Sequence, residues 1–139
     1  MSLSRSSRWS LFRRRYERTK DRHLSPEQCD TLISALLGKP SGDVTVRCAG
    51  TGPEPRIFGR ELVACLQKSG WRVNDRTADI ALGLQLRGGS ILFVQDKNAP
   101  PPRAGVLQAG LRSIGMEALG ENGEASSNKD DVTLFIGEK

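Results

Sequence analysis

Two segments of the chain repeat one order of elements. A β-branched run over 44–49, VTVRCA, leads through GTGPEP into an amphipathic stretch and then SGWRV. An apolar run over 91–95, ILFVQ, leads through DKNAPPP into a second amphipathic stretch and then SIGMEAL. The glycines closing the helical stretches, Gly70 and Gly115, are 45 positions apart, and the first residues of the two strands, Val44 and Ile91, are 47 apart. Strand–helix–strand at this length is a βαβ unit, whose crossover is almost always right-handed. Two such units in tandem predict an α/β fold, a layered sandwich with a mostly parallel sheet. The closing run VTLFIGEK follows the polar stretch GENGEASSNKDD without a helix between them. It is therefore expected to join the sheet antiparallel, as an edge strand.

A capped helix precedes the first unit. In HLSPEQCDTLISALLGKP, Ser25 is placed to cap a helix over about Pro26–Leu37, and Gln28 to reach back from its third position. Pro26 sits at the first helical position, where its missing N–H costs nothing. Cys29, Leu32, Ile33, Leu36 and Leu37 form an apolar stripe, Gly38 supplies a left-handed C-terminal cap, and Pro40 blocks continuation. The helices of the two units are expected over about Ile57–Ser69 and Arg103–Ser113. Gly88-Gly89 between two alternating runs suggests a hairpin, with an extra strand over 80–86.

Charge divides the chain. Residues 1–22 hold eight Lys and Arg against two acids, a net of +6, whereas the remainder carries thirteen bases and fourteen acids, a net of −1. The body, residues 23–139, is read as a single α/β domain and residues 1–22 as a basic aromatic arm. On a helix Trp9, Phe12 and Tyr16 share one face, flanked by Arg13, Arg14 and Arg15. Such a segment suits an anionic membrane surface or a tether to a protein partner. It also suits nucleic-acid phosphates with aromatic stacking, or an unstructured leader. The high whole-chain basicity belongs to the arm, so it is no argument that the body binds nucleic acid.

Candidate chemistry is sparse. Cys29, Cys48 and Cys65 are an odd number without CxxC spacing, all in apolar segments, and read as reduced core residues of a cytoplasmic protein. No apolar run reaches the length of a membrane span, and the N-terminus lacks a secretory signal. The single histidine, His23, precedes the predicted body, which leaves Ser, His and Asp without a triad arrangement and the cysteines without a base. One histidine with three scattered cysteines gives no zinc pattern, and no cofactor is expected. A phosphoacceptor receiver domain needs further carboxylates after the first strand, where CAGTGPEP offers only Glu54.

The loop Gly50-Thr51-Gly52 follows a strand and precedes a helix, which is where phosphate cradles form. A dinucleotide fingerprint would need glycine at position 55, which is Pro55, and a Walker loop would need a Lys-Ser/Thr pair. Pro53 and Pro55 also remove two backbone donors. Position still favours this loop, because ligands in open α/β sheets bind beyond the carboxyl ends of strands. The candidate binding residues are therefore Gly50, Thr51 and Gly52 after the first strand of one unit, with Asp96 and Asn98 after the first strand of the other. The alternative reading makes both loops plain turns.

The strings RHLSPEQCDTLISALL, SGWRV, APPPRAGVLQAGL and VTLFIGEK together resemble poorly characterised bacterial α/β domains. Those domains follow transmembrane or coiled segments in predicted membrane proteins. The resemblance covers about Arg22–Lys139, implies a βαβ body near a membrane, and carries over no functional residue. The expectation is a non-catalytic interaction or sensing domain tethered by its arm. The alternatives are a small-molecule domain, with nucleotides among the ligands, and a nucleic-acid-associated protein.

Overall fold

The computed structural model describes residues 21–50, 52–79, 89–123 and 130–138. Helix α1 spans Pro26–Leu36, followed by β1 (Asp43–Cys48), α2 (Pro53–Lys68) and β2 (Arg72–Arg76). The second half contains β3 (Ser90–Val94), α3 (Pro102–Ser113), β4 (Ala118–Asn122) and β5 (Val132–Ile136). The expected extra strand over 80–86 and the arm residues Trp9 to Tyr16 lie outside the described residues.

The chain is an α/β fold with a mixed sheet of order β2-β1-β5-β3-β4. Each βαβ unit forms as the sequence repeat implies: β1 pairs parallel with β2, and β3 pairs parallel with β4. The last strand departs from expectation. Strand β5 lies in the middle, parallel to β1 and antiparallel to β3, and not at an edge. Val132, Leu134, Phe135 and Ile136 are all buried. A near-continuous apolar run of this kind favours the position flanked by strands on both sides. One consequence governs the functional reading: the two units run in opposite directions, one on either side of β5.

The core lies between the sheet and a single layer of helices. Val44, Val46 and Cys48 of β1, Leu134 and Ile136 of β5, and Leu92 and Val94 of β3 meet Leu62 and Leu66 of α2 and Leu107 and Leu111 of α3. Helix α1 adds Leu32 and Leu36 and packs on both other helices. Strand residues alternate sides, so the intervening positions form a second sheet face, and no helix of the described residues covers it.

Helix α1 starts as its sequence predicts. Ser25 Oγ accepts from the Gln28 N–H at 3.1 Å, and Gln28 Oε1 accepts from the Ser25 N–H at 3.0 Å. Gly38 has φ +73°, as a left-handed cap requires. Leu37, expected in the apolar stripe, is 76 % exposed, because the helix ends at Leu36 and the chain turns extended there. Helix α2 begins four residues earlier than expected. Gly52 is its N-cap and Pro53 occupies the first helical position, so the stretch read as loop through Pro55 is already helix.

Two further expectations are corrected. Arg22 was assigned to the arm but is fastened to the body: its guanidinium pairs with Glu54 at 2.8 Å and lies over the Phe58 ring at 4.9 Å. Cys29 and Cys65, read as reduced, form a disulfide between α1 and α2 with their Cα atoms 5.8 Å apart. Cys48 is the free cysteine, and it is buried. The cysteine argument for a cytoplasmic chain falls with that bridge, since disulfides are rare in reducing compartments. No helix among the described residues is long and apolar enough to cross a membrane.

Candidate functional site

The two predicted loops do not meet. Gly50 and Gly52 follow the carboxyl end of β1, where Cys48 stands beside Ile136 of β5. Asp96 and Asn98 follow the carboxyl end of β3, where Val94 stands beside Val132 at the start of β5. The loops therefore lie beyond opposite ends of β5, whose four steps from Val132 to Ile136 span about 13 Å at the rise of an extended strand. The sequence repeat implied equivalent loops, but central placement of β5 turned one unit over relative to the other.

The two loops are built differently. Gly50 has φ +69°, a conformation that favours glycine, and the end of the Glu138 side chain lies against its Cα. Gly52 caps α2 without a side-chain bond, Glu54 sits in the first turn, and Thr51 lies outside the described residues. The partial positive charge at that helix end faces Glu54 and Glu138. At the other end Asp96 Oδ1 accepts from the Asn98 N–H at 2.9 Å, and the Lys97 N–H donates to Asn122 Oδ1 at 2.7 Å. These bonds make Asp96–Asn98 a turn held against β4.

A concavity among the described residues lies elsewhere. A groove of about 530 Å³ opens at the amino ends of β1, β2 and β5, lined by Asp43, Thr45, Arg72, Asn74, Arg103 and Thr133 among others. Arg103 braces its rim, donating to the backbone carbonyls of Asp43, at 2.9 Å, and Asp130. Arg72 pairs with the Asp43 carboxylate. Asp130 and Asp131 contribute two more acids to the wall. Sequence reasoning missed this groove, because it looked to the carboxyl ends of strands and the groove sits at amino ends.

The groove continues onto the helix-free face of the sheet, and strand register fixes its pattern. One row across the five strands reads Arg76, Arg47, Phe135, Ile91, Leu119. The next reads Asn74, Thr45, Thr133, Phe93, Glu121. Arg47 lies over the Phe135 ring at 5.8 Å, and Phe93 meets Phe135 edge to face at 6.2 Å. Polar and basic residues hold the β1–β2 half, and Ile91, Phe93 and Leu119 hold the β3–β4 half together with the acid Glu121, with Leu119 63 % exposed.

Candidate nucleophiles are quiet. Cys48 donates to the Pro55 carbonyl at 3.2 Å, and burial pushes its thiol up to about 11. A thiol so raised supplies little thiolate at neutral pH. His23 lies at the surface beside Glu61 at 3.3 Å. Among the described residues no group of three or more His, Cys, Asp and Glu could hold a metal ion.

Comparison with family models, with curated proteins and with solved structures finds no match to this chain.

Proposed function

We propose that the chain is a non-catalytic interaction or sensing domain, tethered through the basic arm of residues 1–20 to an anionic membrane surface or a protein partner. The observation that carries this reading is the row Arg76–Arg47–Phe135–Ile91–Leu119 on the helix-free sheet face. A sheet face open to water normally carries polar residues at alternate positions. Here Phe135 is buried and Ile91 half-buried although no helix of the described residues lies over them, while Leu119 at one end of the row and Arg76 at the other are exposed, and those exposed ends suit contact with another molecule. The arm adds long-range attraction, because its charge is opposite to that of phospholipid headgroups.

Vesicle cosedimentation of the full chain tests the tether. Phosphatidylcholine vesicles containing phosphatidylserine should retain the protein at low salt, and pure phosphatidylcholine should not. Arg13→Gln, Arg14→Gln and Arg15→Gln together should release it. Equal retention on both vesicle types would count against an anionic surface. A preference for single-stranded oligonucleotide, falling steeply with salt, would move the assignment to nucleic acid.

The groove favours a second reading, a small-molecule domain. Its site would be the amino-end groove, whose Asn74, Thr45 and Thr133 present hydrogen-bonding groups in one row. The acids around it suit a cationic or neutral polar ligand better than a phosphate.

A further inference from the structure

The segment from Arg22 to Cys29 runs along one side of α2 and is fastened at successive turns. Arg22 binds Glu54 and covers Phe58; the Leu24 N–H donates to Glu61 Oε1 at 3.2 Å; Cys29 is bonded to Cys65. Positions 54, 58, 61 and 65 recur at three- and four-residue spacing, so they form a single stripe on the helix. The disulfide is the last fastening and the one covalent bond of the four.

The two sulfurs differ in access. Cys65 is 1 % exposed, whereas Cys29 is only partly buried. The Cys65 sulfur also lies 3.4 Å from the Cys29 carbonyl oxygen, within reach of a thiol hydrogen bond. Once reduced, the Cys65 thiol would have a partner in place without moving. Cys48, hydrogen-bonded and buried on the sheet, offers no alternative pairing.

From this arrangement we infer that Cys29–Cys65 is a redox latch on the strap of residues 22–29, opened by a small or protein dithiol. A dithiol thiolate attacks Cys29 Sγ, the accessible sulfur. The S–S bond breaks, and its electron pair leaves on Cys65 Sγ, which takes a proton from water. The second thiol of the reductant then displaces Cys29 from the mixed disulfide. The protein gains two electrons and two protons, and the dithiol becomes a disulfide. The open latch leaves the strap held only by non-covalent contacts, those of Arg22 with Glu54, Phe58 and the Gly137 carbonyl, of Leu24 with the partly exposed Glu61, and of Gln28 with the Ile114 carbonyl. The inference does not depend on what the arm binds.

Amide hydrogen exchange on the full chain, oxidised and after dithiothreitol, tests it. Acid-quenched alkylation of the oxidised protein should leave Cys29 and Cys65 unmodified. Reduction should speed exchange in residues 22–30 by more than about tenfold, in line with the stabilisation a loop-closing bridge provides. Exchange in β1 and β5 should stay as it was. Cys29→Ser should show the fast strap with or without reductant. Four results would overturn the latch: both thiols alkylated in the oxidised protein, an unchanged strap after reduction, acceleration spreading through the whole sheet, or a Cys29→Ser strap that still responds to dithiothreitol.

Discussion

Gly110 of α3 receives Leu36 of α1. A Cβ at Gly110 would lie 2.9 Å from Leu36 Cδ2 and 3.1 Å from Leu32 Cδ1, so the absent side chain sets the distance between the helices. Leu32 is fully buried and Leu36 nearly so, which leaves them little room to yield. Gly105, on the same helix, has open space around its Cα. Gly105→Ala should stabilise by about 0.5–1 kcal/mol through helix propensity. Gly110→Ala gains the same propensity but overpacks the contact, which costs about 1–3 kcal/mol. Urea denaturation should place the two variants on opposite sides of the wild type. Stabilisation by both would mean that α1 sits further from α3.

The capping box at Ser25 has a third partner. Gln28 accepts from the Ser25 N–H and also donates from Nε2 to the Ile114 carbonyl at 3.3 Å, tying the start of α1 to the end of α3. Ser25→Ala should cost about 0.5–2 kcal/mol. Gln28→Ala loses both of its side-chain bonds at about 1 kcal/mol each and should cost at least as much. Chemical denaturation of the pair distinguishes a working box from a frayed helix start, for which both values would be near zero.

Arg22 sets the limit of safe truncation. Its partner Glu54 is 13 % exposed, so removing the guanidinium takes a charged hydrogen-bond donor from a largely buried carboxylate. A chain starting at Asp21 should melt close to the full protein. One starting at His23 should lose about 1–3 kcal/mol, the range for a bond to a charged group, reduced here by the partial exposure of Arg22. Thermal melts of the two truncations decide it. Equal melting temperatures would place Arg22 with the arm after all.

Local chemistry made the helices legible. Ser25, Pro26, Gln28 and Gly38 act within a few residues of where they stand, and so does the β-branched run of β1. Long-range pairing was not legible in the same way. The repeat identified both βαβ units but carried no information on their relative direction, which the last strand decides by entering between them. Its signal was present in Val132-Thr133-Leu134-Phe135-Ile136, a run too apolar for an edge. The Cys29–Cys65 bridge depends on α1 lying along α2, a tertiary contact that cysteine spacing does not encode. The candidate loops failed as a joint site for the same reason: equivalence in sequence became opposition in space.

Cys48 should give the protein an alkaline weakness. Its thiol is raised from 9.0 to about 11 by burial, so the folded chain holds the proton more tightly than the unfolded one. The stabilisation is complete below pH 9 and disappears as the pH climbs from about 9 to 11, because the unfolded state gains the charged form first. Melting temperatures across pH 8–11 should fall more steeply for the wild type than for Cys48→Ala. Parallel curves would assign the decline to other groups.

Nucleotides should not stabilise the chain. At the start of α2 Arg22 is already engaged by Glu54 and Glu138 stands beside Gly50, and at the groove Arg72 is paired with Asp43 and Arg103 with backbone carbonyls, beside Asp130 and Asp131. Pro53 and Pro55 lack the N–H groups that a cradle would use. A ligand at 100 times its dissociation constant stabilises by about 2.7 kcal/mol, and each kcal/mol shifts melting by roughly 2–8 °C in domains of this size range. Millimolar ATP, GTP or NAD should therefore leave the melting temperature unchanged. Two variants make a positive result informative. Gly52 has open space around its Cα and an ordinary φ of −69°, so Gly52→Val changes the loop without strain. Asn74 is exposed at the groove, where its side chain reaches Thr45. A nucleotide shift lost in Gly52→Val would restore the strand-end loop as a phosphate site against the charge argument. A shift lost in Asn74→Ala would place the ligand in the groove and favour the small-molecule reading over the interaction domain.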